Sequence, residues 1–146
     1  MSELNNILPS YLDKATAAEK QVFFQALICL AGIDGYTHES EIDFITQAAQ
    51  RYKIENLDSL CKCSGPNEVI ENIKVIQDRH LAMELVREMC MLSHADSVLS
   101  DEETLFIGRI GLALGLEIEK IEQISNWVID RIIWLEQAKI IFEEDK

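Results

Sequence analysis

Apolar side chains recur along most of the chain three and four residues apart, the spacing that gathers them on one face of an α-helix. Val22, Phe23, Ala26, Leu27 and Leu30 form the first clear face. Thr16 and Glu19 stand ahead of it as a capping box, in which the hydroxyl takes an orphan amide and the carboxylate reaches back. The pattern therefore predicts a helix that starts near Ala17 and ends before Gly35. A second face, Ile42, Ile45, Ala48, Ala49 and Tyr52, predicts a helix from about His38 to Lys53. After a loop around Leu57 to Pro66, Asn67 reads as the cap of a short helix over Glu68 to Val75, and Asp78 as the cap of a longer one ending near His94. Ser100 and Glu103 form a second capping box, opening a helix that stops at Gly115, where a left-handed residue is wanted. The last and longest helix, about Glu117 to Glu143, turns Ile121, Ile124, Val128, Ile132 and Leu135 inward. Its second stripe, Trp127, Trp134 and Ile141, reads as the margin of a wide buried face, the alternative being an exposed seam for a partner helix or a second copy. Upstream, Leu4, Ile7, Leu8, Tyr11 and Leu12 mark a further helical segment that Pro9 kinks or restarts.

Two prolines and six glycines in 146 residues leave little to interrupt these helices, so the fold expected is all-α, a single domain over residues 1–146. Charged residues break every apolar run before the roughly 20 residues a bilayer span needs. The start of the chain lacks the positive and apolar blocks of a secretory signal, so a cytoplasmic location is expected. The net charge of −13 repels phosphate backbones and anionic lipid, which argues against nucleic acid and for cations or basic protein surfaces as partners.

Laid on itself with an offset of sixty-two residues, the chain repeats. The stretch from Leu30 to Glu41 aligns without gaps on Leu92 to Glu103, and Phe44 and Ile45 fall on Phe106 and Ile107. Two copies of helix, acidic loop and helix imply halves of about 17–53 and 78–115 related by a pseudo-twofold, followed by the C-terminal helix of about 117–143. Each loop sets an Asp seven residues before a Glu, Asp34 to Glu41 and Asp96 to Glu103, with Glu39, Asp101 and Glu102 alongside. Carboxylates on a loop and on the first turn of the following helix can converge on a hard divalent cation. These are not EF-hand loops, because Leu30 and Gly32, or Leu92 and His94, stand where the first two oxygen ligands belong. Helix capping is the competing explanation. It accounts fully for Glu103 behind Ser100, whereas at Glu41 the equivalent position holds His38 rather than a serine.

The step Asp34-Gly35 before an acidic helix start, its second version at Asp96, and the surrounding helices resemble the TerB-like family associated with bacterial tellurite resistance. The resemblance runs from about Pro9 to Phe142 and implies a compact bundle of about seven helices with internal pseudo-symmetry. It also implies a tellurite-resistance or stress-response setting with protein partners, membrane-associated complexes among them, and the thin inventory of catalytic groups makes the expected module a non-enzymatic one. Carried onto this chain, the implied metal ligands are Asp34 and Glu41 in one loop and Asp96 and Glu103 in the other, holding Ca²⁺ or another divalent cation weakly, with Glu39 and Asp101 beside them. Ser97 departs from the pattern where the Asp-Gly step would repeat.

Chemistry of another kind has few candidates. Cys29 and Cys90 lie within apolar helical runs and read as core. Cys61 and Cys63 form a Cys-x-Cys that matches no paired zinc spacing. Cys90 and His94, four apart on one helix, would share a face but lack a third group to activate them. A small hydrolase or thiol redox protein built on Cys90 and His94, or on Cys61 and Cys63, is the rival to the binding module.

Overall fold

The computed structural model describes residues 10–33, 39–51, 65–94 and 100–143. Among these residues there are six α-helices and no strand: α1 (Ala17–Ala31), α2 (Glu39–Arg51), α3 (Pro66–Asn72), α4 (Arg79–Ser93), α5 (Asp101–Ala113) and α6 (Ile118–Glu143). Two short 3₁₀ turns, Leu12–Lys14 and Ile73–Val75, complete the described elements.

Local chemistry explains most of the boundaries. Thr16 and Glu19 exchange both capping-box bonds at the start of α1, and the Asp78 carboxylate accepts from the amides of His80 and Leu81 at the start of α4. The end of α5 is a Schellman turn: Leu116 N–H donates to the Gly111 carbonyl and Gly115 N–H to that of Leu112, with Gly115 left-handed at φ 84°. Leu116 buries its side chain and completes the motif.

Helix α4 lies at the centre, packed against α1, α2, α5 and α6. Its core residues Leu85, Met89 and Leu92 join Phe23, Phe24, Leu27 and Leu30 of α1 and Ile110 of α5 in one fully buried cluster. Helices α4 and α6 run in the same direction. Near their starts Arg79 pairs with Glu117 at 2.6 Å, and near the end of α4 the Arg131 guanidinium donates to Met91 Sδ at 3.8 Å. Helix α5, which joins them in sequence, packs against both, so close to α6 that a Cβ placed on Gly111 would lie 2.5 Å from Ile121 Cδ1. Helices α1 and α4 are each fifteen residues long and α2 and α5 each thirteen, every boundary of one pair lying sixty-two residues from its counterpart in the other.

Four expectations need correction. The short third helix begins at Pro66 behind Gly65, because a proline in the first turn needs no amide partner and is already set for helical φ. Asn67 is therefore inside the helix and accepts from Arg109 Nη2 at 2.9 Å instead of capping. Ile42 is 50 % exposed on α2 rather than inward. The stripe Trp127, Trp134 and Ile141 is exposed, at 44, 62 and 61 %, because it runs off the side of α6 that carries the buried Ile121 and Val128, and its later members lie beyond the end of α4. On the expected inner face of α6, Ile121 and Val128 are buried while Ile124, Ile132 and Leu135 are half-covered. The upstream positions Leu4, Ile7 and Leu8, together with Tyr52, Cys61 and Cys63, lie outside the described residues.

Candidate functional site

The two acidic helix starts occupy matching places in the fold, at the N-termini of α2 and α5. In both, the first helical residue is an exposed acid, Glu39 or Asp101, and the third is a buried one, with Glu41 2 % and Glu103 4 % exposed. A carboxylate in the first turn lies near the positive end of the helix dipole and the free amides there, which steadies the helix start. Burial of a carboxylate is nevertheless costly unless its oxygens are engaged.

Glu103 is engaged on one side only. Its amide donates to Ser100 Oγ at 3.1 Å, and its Oε1 accepts from Ser100 N–H at 3.2 Å, closing the capping box. Its Oε2 is buried with no hydrogen-bond partner among the described residues. Two further buried polar atoms in that condition, Ser93 Oγ and His94 Nε2, lie at the end of α4, on the other side of residues 95–99. Asp34 and Asp96 lie outside the described residues. Among the described residues no three His, Cys, Asp or Glu side chains gather closely enough to hold a metal ion.

Cys29 and Cys90 are buried, as their apolar neighbours imply. Desolvation pushes the Cys90 thiol up to about 11, against a smaller opposing effect of its hydrogen bond with Ser125, so almost none of it is thiolate at neutral pH.

Two buried carboxylates on α4, Glu84 and Glu88, are absent from the sequence reading. A signal for Glu88 exists, since it occupies the position sixty-two residues on from Ala26, an inward residue of α1. Arg87 Nη2 lies 3.3 Å from Glu88 Oε1, both side chains largely covered. Glu84 accepts the Tyr11 N–H and, at 3.4 Å, the Ser10 hydroxyl, which ties the segment before α1 to α4. It sits in a cleft of about 350 Å³ floored by Met83 and Ile124, with Trp127 at its edge and the rings of Tyr11 and His80 stacked 4.8 Å apart.

Burial raises the Glu84 carboxyl above the ordinary range, against the Tyr11 hydrogen bond that lowers it. A raised folded pKa means that the folded state holds this proton more tightly than the unfolded chain. The associated stability is present in full below the ordinary carboxylate pKa and is lost as pH rises through the raised one. Glu84→Gln keeps an oxygen for Tyr11 N–H and should flatten the stability curve across that window, read by urea unfolding between about pH 4 and pH 8. An unchanged slope would mean that Glu84 ionises as freely folded as unfolded.

No helix among the described residues is long and apolar enough to cross a membrane. Compared with protein-family models, curated proteins and solved structures, the chain has no significant match in any of the three.

Proposed function

We propose that the chain is a non-enzymatic, TerB-like binding module whose two acidic helix starts take a divalent cation such as Ca²⁺, weakly, or the basic surface of a protein partner, in a tellurite-resistance or stress-response setting. The observation that carries the cation reading is Glu103 Oε2, a buried carboxylate oxygen with no partner among the described residues, at the mouth of an acidic segment. An oxygen in that position is stabilised by a cation and destabilised by its absence. Asp96, Glu103 and Asp101 would supply one set of hard ligands, and Asp34, Glu41 and Glu39 the other.

The equal helix lengths and the constant offset support reading the two sets as copies within a pseudo-twofold repeat. Matched burial supports it too, Leu30 with Leu92 and Glu41 with Glu103 among the pairs. The rival reading, a thiol enzyme, gains nothing from Cys90, whose burial keeps it protonated.

Glutamine separates a cap from a ligand, because it closes a capping box as glutamate does but carries no charge. Glu103→Gln should therefore keep the cation-free chain folded with the Ser100 capping box closed. In the unaltered chain Ca²⁺ at ten times its Kd should add about 1.4 kcal/mol of stability and shift amide resonances of residues 33–42 and 95–104. Both responses should shrink in Glu103→Gln, Glu41→Gln and Asp34→Asn. No response to millimolar Ca²⁺ or Mn²⁺ would reduce these carboxylates to helix caps.

A further inference from the structure

The outer side of α6 has no part in that reading. It carries two apolar rows, Ile133 and Ile140 in one and Trp127, Trp134 and Ile141 in the other, each side chain between 44 and 62 % exposed. Steps of seven residues keep each row in line along the helix, and Asn126, Asp130 and Gln137, all exposed, lie between them. Both tryptophans of the chain stand on this one strip. An indole left in water forgoes most of the burial its size offers, and a contiguous apolar patch marks an interaction surface.

The strip is complementary to itself. When two copies of one helix pair antiparallel, a step up one is a step down the other, so fixing one level fixes them all. With Ile133 of one copy level with Trp134 of the other, Trp127 falls level with Ile140 and Asp130 with Gln137. Each indole then meets an aliphatic side chain, and the lone carboxylate meets an amide donor. Every contact occurs twice, once on either side of the two-fold axis, as an isologous interface requires. A parallel pair in register would instead set Asp130 against Asp130.

Area and charge favour the same occupant. Scaled from the roughly 150–250 Å² that a large side chain can cover, the two rows expose on the order of 600 Å² per copy, so a pair buries about 1,200 Å², the lower end for a stable interface. Asp130 is the one charged residue on the strip, while first turns elsewhere, those of α2 and α5, hold concentrated acid. Repulsion between two chains of −13 keeps the pair weak, and salt screens it.

We propose that the outer side of α6 is a dimer interface, covered by the antiparallel α6 of a second copy with Ile133 against Trp134 at its centre.

Sedimentation equilibrium of the full chain, with NMR of its two indole N–H groups, provides the test. The expected result is a 16.6 kDa monomer at about 5 µM that is mostly dimer by about 1 mM, both indole signals shifting with concentration. Association should tighten as NaCl rises from 50 to 500 mM. Trp134→Asp should weaken it at least tenfold, yet leave the unfolding midpoint at 5 µM almost unmoved, because there the side chain is in water. Gln137→Lys should tighten the pair about threefold by facing Asp130 of the other copy. Adding Asp130→Lys should reverse that gain, although it lowers the net charge further. A chain still monomeric at 1 mM would overturn the dimer and leave the strip to a different protein. A dimer indifferent to Trp134→Asp, or one that salt weakens, would overturn the apolar interface. No gain from Gln137→Lys, or a gain that survives Asp130→Lys, would overturn the antiparallel register.

Discussion

Phe24→Ala is expected to cost about 4 kcal/mol of unfolding free energy, because a fully buried aromatic side chain is removed from a site that cannot collapse around the gap. Phe24 has no exposed surface and belongs to the cluster where α1 meets α4, beside the tilted ring of Phe23 at 5.8 Å. Its neighbours in that cluster are anchored on other helices, so they cannot all move inward at once. A domain of this length has a total stability on the order of 5–15 kcal/mol, which makes the loss a large share of the whole. Trp134→Ala removes an even larger side chain from the exposed stretch of α6 and should stay within about 0.5 kcal/mol of the unaltered chain. Urea unfolding of both variants checks the pair of values. A Phe24→Ala loss below about 1.5 kcal/mol would place the tightest packing somewhere other than the α1–α4 contact.

Arg87→Met comes second, at about 3 kcal/mol. The guanidinium is the near neighbour of the Glu88 carboxylate, and both side chains are largely withdrawn from water, at 14 and 7 % exposure. Removing one partner of a covered ion pair leaves the other charge poorly compensated, and that penalty exceeds what the pair itself contributes. The double variant Arg87→Met with Glu88→Met removes both charges and substitutes flexible apolar side chains, so it should recover much of the loss. A double-mutant cycle should give a coupling of at least about 1 kcal/mol. Additive losses would mean that Glu88 is held by its other surroundings and owes Arg87 little.

What can be read from the sequence is whatever is decided within a few residues. The capping boxes at Thr16 and Ser100, the cap at Asp78 and the turn at Gly115 each rest on a local bond or a single φ, and each stands where its residues indicate. The third helix shows two local rules in competition, since Asn67 is a good cap but Pro66 is a better first residue. Burial is legible only where one face is plainly apolar. Periodicity tells which residues of α6 share a side, but not how wide or how long a side the neighbouring helices cover, and so the Trp127 and Trp134 stripe reads as the margin of the core when it faces outward. Glu84 and Glu88 escape the sequence for the complementary reason: a carboxylate is expected in water, and partners such as the Tyr11 N–H, brought to Glu84 from far along the chain, make its burial tolerable. Of the candidate ligands, the acids at helix starts are placed by their position in the first turn. The orphaned oxygen of Glu103 depends on what surrounds it in three dimensions, which no spacing encodes.

The length of α6 also bears on local opening. Its twenty-six residues make a rod of about 39 Å, against about 22 Å for the fifteen-residue α4 beside which it runs. Its last turn, from Lys139 to Glu143, is wet on every side, so the amide protons there should exchange with solvent well ahead of those beside the buried Ile121 and Val128.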